Sequence, residues 1–361
     1  MNYLDTIKTA VVVFPFIAVL ITIPFILKQY HRYGSISFLR AIIIYTFVLY
    51  LICAYFLIIL PLPKISDVAV LDTARTQLIP FKFIFDFINE SSFQITNFST
   101  YIKAIKEPCF YVPLYNIFLT LPFGVYMRWY YKCNLKKTIF YSFLLSLFFE
   151  LTQLSGLYFI YPRGYRLFDV DDLMLNSFGG LLGYFIISPF LNKLPKRDQI
   201  DKTAYEKGKN ISRFRRATTF CLDFVIVQVV YYFISLSINY HYLYILIFAI
   251  YYLILPIFFK GNTIGEMFLN IKLVDYSNNS NIIRMILRRV LFTFIYVFLP
   301  YLMTQLIDYI DNPVLKKEFC LIYLVIGFIL LVVVVIKFVF TKNDMLYERL
   351  SKTKLVSTIK K

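Results

Sequence analysis

The sequence predicts an all-α protein, a polytopic helical membrane protein with about nine transmembrane helices, its N-terminus outside and its C-terminus inside. Three observations carry this. Of the 361 residues, 59% are hydrophobic and only 16% charged, with 39 Phe and 31 Tyr, more apolar surface than a soluble domain can hide. The apolar residues fall into runs close to the ~20 residues that a spanning helix needs. The basic residues concentrate in alternate loops, the pattern of cytoplasmic segments.

Taken in order, the expected spans are Ala10–Leu27, Phe38–Leu60, Tyr111–Met127, Thr138–Tyr158, Leu173–Phe190, Ala217–Ile238, Tyr242–Phe259, Val290–Ile307 and Phe319–Phe338. The first contains Pro15 and Pro24, lacks a small-residue cleavage pattern and is soon followed by another run. It is therefore expected to span rather than to be a removed signal. The third and seventh are short, and Pro113 and Pro122 predict a tilt or break in the third.

Between the spans, Lys28–Arg40, Arg128–Lys137, Leu191–Arg216, Lys260–Arg289 and the tail after Phe340 are basic. Pro61–Phe110 and Asp308–Glu318 are mixed, and Ser155–Asp172 carries Asp169, Asp171 and Asp172. This alternation sets the orientation and places the protein in the cell membrane as a multi-pass chain. The polar stretch 192–216 reads as a basic cytoplasmic linker between a five-helix domain, 1–191, and a four-helix domain with a basic cytoplasmic tail, 217–361. No internal repeat relates the halves, which weighs against an inverted-repeat transporter.

Several chemistries are disfavoured. Cys53, Cys109, Cys133, Cys221 and Cys320 are scattered and form no CxxC pair, so no disulfide framework or metal knuckle is indicated. His31 and His241 lie far apart. Neither a metal nor a cofactor is expected. The net charge of +17 is accounted for by the inside loops, so nucleic acid is not an expected partner.

The polar stretch Ser146–Gly183 is the centre of interest. Ionisable groups inside apolar segments are costly and mark functional sites by default; the alternative is a fold held together by buried polar pairs. Glu150 and Gln153 lie one turn apart near the end of the fourth run and point the same way. Asp171 and Asp172 fall in the first turn of the fifth, where unpaired backbone N–H groups favour carboxylates. Asp172, Asn176 and Gly180 recur every four residues beside Gly179 and Gly183, a spacing that lets a neighbouring helix approach. Arg166 and Arg75 are the expected counter-charges, and Asn116 before Pro122–Phe123–Gly124 is a second polar anchor. Burial and neighbouring carboxylates raise a carboxyl pKa, giving acid and base in one place, so Glu150, Asp169 and Asp172 are the candidate catalytic groups. Arg75, Asn116, Gln153, Arg166, Asp171 and Asn176 are the candidate ligand-binding groups, with the arginines on a phosphate or carboxylate. No nucleophile stands out, and whether the protein is an enzyme stays open.

Within the loop Pro61–Phe110, the alternating aromatics Phe81, Phe83, Phe85 and Phe87 fit a strand. A segment lying at the membrane interface fits them better. In the second half, Gly261–Asn262–Thr263–Ile264–Gly265–Glu266 is followed by no GK[ST], so it reads as a tight turn and not a phosphate loop. Arg216 is expected to extend along its helix towards Asp223. Arg284, Arg288 and Arg289 are expected to meet anionic lipid at the inner face.

The first half resembles the VanZ-like family. The resemblance is carried by Arg75 with Leu78–Ile79–Pro80–Phe81, by Asn116 with Pro122–Phe123–Gly124, and above all by Glu150-x-x-Gln153. That pair is followed by Arg166-x-x-Asp169-x-Asp171–Asp172, Asn176, Gly179–Gly180 and Gly183. It covers roughly Ile36 to Phe190 and implies an envelope-facing role linked to glycopeptide (teicoplanin) resistance in Gram-positive bacteria. The second half resembles the RDD family. Arg216 and Asp223 match its opening pair, Thr263-x-Gly265 its turn, and Arg288 or Arg289 its later arginine. Glu266 stands where the family has a lysine and Glu348 where it has its closing aspartate. The resemblance implies an ion-exchange role or, as the plainer reading, a scaffold.

The preferred reading is an envelope membrane protein whose outward polar site recognises or modifies a lipid-linked envelope component and so affects teicoplanin susceptibility. Its expected partners are membrane lipids or a lipid-linked precursor at the outer face, anionic lipid at the inner face and an envelope enzyme. The alternatives are an ion or small-solute transporter or exchanger, and a non-catalytic membrane scaffold.

Overall fold

A computed structural model describes residues 3–238, 240, 242–340 and 345–359; His241 lies outside them. Among the described residues six helices are long and apolar enough to cross a membrane: Asp5–Tyr33, Phe38–Ile59, Pro108–Trp129, Val170–Phe190, Arg213–Ser235 and Ile282–Asp308. Six of the nine expected spans fall on these helices. The other three expected spans are helices as well: Leu135–Leu154, the shorter Leu243–Phe258, and Pro313–Phe340. The chain is a polytopic, essentially all-α membrane protein, with four short strands in two small sheets as its only β structure among the described residues.

The chain divides into two compact units, one of Met1–Thr22 and Phe38–Ile200, the other of Ile23–Ser37 and Asp201–Lys361. We number the elements α1 (Tyr3–Tyr33), α2 (Phe38–Ile59), β1 (Thr76–Gln77), α3 (Lys82–Glu90), α4 (Pro108–Trp129), α5 (Leu135–Leu154), β2 (Phe168–Asp169), α6 (Val170–Ile187) and α7 (Arg197–Gly208). They continue with α8 (Arg213–Ser235), α9 (Leu243–Phe258), α10 (Ile264–Phe268), β3 (Ile271–Asp275), α11 (Ile282–Asp308), α12 (Pro313–Phe340), α13 (Leu346–Ser351) and β4 (Thr353–Ser357).

In the first unit α4, α5 and α6 pack with little side chain between them. A Cβ on Gly179 would strike the Ile117 carbonyl, one on Gly183 the Leu121 carbonyl, and one on Gly124 the Gly180 backbone. One on Gly180 would strike the Ser142 hydroxyl of α5. The glycine spacing therefore brings backbone against backbone, as small residues do in lipid, where no hydrophobic force presses helices together. α4 runs unbroken through Pro113 and Pro122, so of the tilt or break expected there the break does not occur. Pro108 opens it at a position where its missing N–H costs nothing. The Leu119 carbonyl, in the turn before Pro122, takes the Tyr50 hydroxyl at 2.7 Å.

The segment between α2 and α4 is organised as well. β1 pairs in parallel with β2, Thr76 opposite Phe168 and Gln77 opposite Asp169. The aromatic stretch is a helix, α3, and not a strand. The stretch 192–216 holds α7, whose Ile200 and Ala204 are buried.

In the second unit β3 and β4 form an antiparallel ladder from Ile271↔Ser357 to Asp275↔Thr353. Residues 353–357 of the basic segment after Phe340 are thus part of the fold. Wide turns of π type interrupt α9 at Ile250–Ile254 and α11 at Phe294–Phe298. The first brings Tyr251 and Tyr252 into a buried cluster with Val227, Leu243, Ile247 and Phe248.

Candidate functional site

Where α5 ends and α6 begins, the polar stretch folds onto itself. Glu150 is 2% exposed, and its Oε2 accepts the Asp169 N–H at 2.9 Å. Asp169 is the N-cap of α6, accepting the Asp171 N–H at 2.8 Å and the Gln77 amide at 3.3 Å. Burial pushes the Asp169 carboxyl above the ordinary carboxylate value, and the Asp171 charge adds to the rise against the Gln77 hydrogen bond and the Lys82 charge. Asn116 donates to Asp172 across the α4–α6 contact.

One turn further along α6, Asn176 donates to the Ser146 hydroxyl at 2.9 Å, and Ser146 donates to the Asp172 carbonyl at 3.2 Å. Thr120 donates to the Asn176 carbonyl at 2.6 Å. Ser146 and Thr120 were not singled out in the sequence. Thr138, Ser142, Ser146 and Glu150 recur every four residues along α5 and all are buried, a polar stripe that was the available signal.

Asp171 and Asp172 fall in the first turn of α6 as expected, and Asp169, one residue before the helix with extended backbone, is its N-cap. Asp171 turns away from α6 and accepts the N–H groups of Phe81 at 2.6 Å and Phe83 at 2.9 Å, the first donors of α3. Phe81 holds φ +65°, a costly conformation for a large side chain, and the Asp171 bonds hold it there.

The arginines also differ from expectation. Arg166 donates to the Leu60 carbonyl at 2.6 Å, and Arg163 donates to the carbonyls of Leu71 and Thr73. Gln153 donates to the Ile58 carbonyl at 3.3 Å. Arg75 is exposed, and its carbonyl accepts the Phe168 N–H at 3.0 Å. Among the described residues no arginine forms a salt bridge with Glu150, Asp169, Asp171 or Asp172. The guanidiniums instead donate to loop carbonyls at the chain reversals, meeting acceptors that secondary structure leaves open there.

In the second unit, Asp223 accepts from Tyr251 at 2.5 Å, Thr263 at 2.7 Å and the Gly265 N–H at 2.8 Å. A Cβ at Gly265 would collide with Asp223, which is why a glycine stands there. Arg216 does not reach along its helix to Asp223: it pairs with Glu348 at 2.5 Å. Arg288 joins the same carboxylate at 2.8 Å and lies over the Tyr347 ring. Arg289 pairs with Glu266, and Arg284 lies 3.6 Å from Asp275, so each of these three arginines has an acid beside it.

Arg215, counted only as part of a basic cluster in the sequence, is fully buried. It donates to the carbonyls of Leu269, Asn270, Gly34 and Gly208 and to the Ser357 hydroxyl. Its spacing with Thr219, Asp223 and Val227 on one face of α8 was the signal for its burial.

The spanning helices and the polar cores between them define a multi-pass integral membrane protein. Residues 47–192 match the family described as VanZ/LLP1, and residues 212–349 match the RDD family. The chain is an N-terminal VanZ-like domain fused to a C-terminal RDD domain, both of families associated with the cell envelope. No curated protein and no solved structure matches it.

Proposed function

We propose that the VanZ-like domain carries an outward-facing polar site that recognises or modifies a lipid-linked envelope component, and that this affects susceptibility to glycopeptides of the teicoplanin type. The observation that carries the reading is that Glu150 accepts the Asp169 N–H and Asp172 accepts from Asn116 while the nearby arginines are held on backbone carbonyls. Carboxylates that only held helices together would be paired with those arginines, since an unpaired buried charge is costly.

The same reading places nine spans with the N-terminus outside and the C-terminus inside, and domains at 1–191 and 217–361 joined through 192–216. It is supported by segments that the charge pattern puts on one side and that meet one another. Gly34, Gly208, Leu269 and Ser357 converge on Arg215 in the second unit, while Leu71, Thr73 and Gln77 meet Arg163 and Asp169 in the first.

The experiment is a strain deleted for the protein and complemented with the unaltered chain, Glu150→Gln or Asp172→Asn, scored for teicoplanin susceptibility and membrane abundance together. Normal abundance with lost protection supports the site. Lost abundance makes the cluster a folding device, and no effect of deletion removes the glycopeptide role.

For the RDD domain a scaffold role is favoured over ion exchange. Asp223 faces three donors and Glu348 faces two arginines, so these acids are engaged in holding α8, α10, α11 and α13 together.

A further inference from the structure

Around Glu150 and Asp172, at the junction of α5 and α6, carboxylate oxygens stand without donors. Glu150 uses Oε2 on the Asp169 N–H and Asp172 uses Oδ1 on Asn116. Among the described residues, Glu150 Oε1 and Asp172 Oδ2 have no such partner. Asn176 is 3% exposed, and its Oδ1 is a third acceptor without a donor. Its link through Ser146 to the Asp172 carbonyl makes it part of the same cluster, one turn deeper along α6. Of the three, Asn176 Oδ1 is buried outright, and a buried acceptor left unmet is costly, more so where no water competes. The cations nearest the acids do not fill this need: Arg166 is held on Leu60, and Lys82 lies 3.9 Å from Asp86.

A second observation concerns what flanks the cluster. No residue of α3 is buried, and Ile84, Phe85 and Ile88 are 42%, 60% and 67% exposed on it. Asp171 ties the start of α3 to the first turn of α6, and Phe87 packs on Phe110 in the first turn of α4. α4 and α6 are both membrane-length helices, so α3 lies at the level where they enter the bilayer. An amphipathic helix at that depth puts its apolar face among acyl chains.

We propose that this site takes the primary ammonium headgroup of an outer-leaflet lipid, donating to Glu150, Asp172 and Asn176, with the lipid's apolar part along Ile84, Phe85 and Ile88. A primary ammonium brings three N–H donors, whereas a phosphate brings acceptors to a place already crowded with them. The assignment rests on the recognition reading above and names the chemistry of its ligand.

The test uses the full chain purified in a neutral maltoside detergent, with lipid binding read by native mass spectrometry. The probes are short-chain phosphatidylethanolamine, phosphatidylcholine, phosphatidylglycerol and free ethanolamine. Expected is binding of phosphatidylethanolamine about ten-fold tighter than of the other two lipids, and a loss of about ten-fold with Glu150→Gln or Asp172→Asn at unchanged elution. The comparison of lipids on the unaltered chain decides the matter even if a variant misfolds. Preference for phosphatidylglycerol, lost in the variants, overturns the ammonium class while leaving a recognition site. Equal binding of all three lipids, indifferent to both variants, overturns the recognition site as well. Free ethanolamine competing as well as the lipid overturns the docking of the apolar part on α3.

Discussion

The Asp223 carboxylate closes on the backbone N–H of Gly265 at 2.8 Å, joining the middle of α8 to the first turn of α10. With Thr263 and Tyr251 on the same carboxylate, the acid caps a short helix that its own polypeptide turn caps a second time, Thr263 and Glu266 forming a capping box. In the VanZ-like domain Asp171 does the same for α3. Each domain thus uses an aspartate on a long helix to fix the entry of a short one.

Replacing Asp223 by Leu leaves the Gly265 N–H and two hydroxyls without their acceptor. Hydrogen bonds to a charged group are worth about 1.5–3 kcal/mol each, so the loss is several kcal/mol and the RDD domain is expected to fail to accumulate. Asp223→Asn keeps an oxygen for Gly265 and is expected to accumulate at an intermediate level. Membrane abundance and thermal unfolding in detergent separate the two. Equal loss of ion transport activity in both, at normal abundance, would speak instead for an exchanger.

Gly180 is expected to tolerate no Cβ. Gly180→Ala forces the Ser142 hydroxyl aside, and overpacking of this kind costs about 1–3 kcal/mol. Ser142→Ala in the same chain leaves a Cβ in the way and is expected to restore only part of the lost unfolding temperature. Full additivity of the two changes would show that they do not touch.

Glu348 is expected to be the most sensitive position near the C-terminus. It is buried against Arg216 and Arg288, and removing one partner of such a pair costs about 3–5 kcal/mol. Glu348→Ala, or a chain ending at Asp344, is therefore expected to lose membrane abundance. Glu348→Asp, shorter by one carbon, is expected to lie between. A tail that is free in solution would leave abundance unchanged in all three.

Asp169 gives a pH dependence of definite sign. Its folded value lies above its ordinary one because burial disfavours the charge, so ionisation works against folding. Its contribution to stability is complete below the unfolded value and is lost as pH rises through the folded one. Asp169→Asn keeps an N-cap, since Asn caps as well as Asp. It is expected to raise the unfolding midpoint at pH 7 and to leave it unchanged near pH 3. A higher midpoint at both would point to better packing rather than to charge.

The apolar runs made the helices legible, because their length and their loop charges are dictated by the bilayer. The polar offsets around Glu150, Asp172 and Asn176 were legible for a similar reason: i and i+4 residues share a helix face whatever else the chain does. What escaped the sequence were contacts between segments far apart along the chain. Arg166 sits on Leu60, Asp171 on Phe81, and Arg216 on Glu348, partners separated by 106, 90 and 132 positions. A count of charges cannot tell an arginine that pairs with an acid from one that satisfies a carbonyl. Arg163 and Arg215 both do the latter.

The contact of α4 with α6 also bears on motion. Because glycines put backbone against backbone there, displacing either helix by one turn would drive Leu175 or Ile187 of α6, or Thr120 or Arg128 of α4, into a place that a glycine now leaves open. The pair has one register and no second resting place beside it. Any rearrangement that accompanies ligand entry must then leave these two helices fixed and be taken up by α3 and the turns around it, where few apolar contacts oppose a local opening.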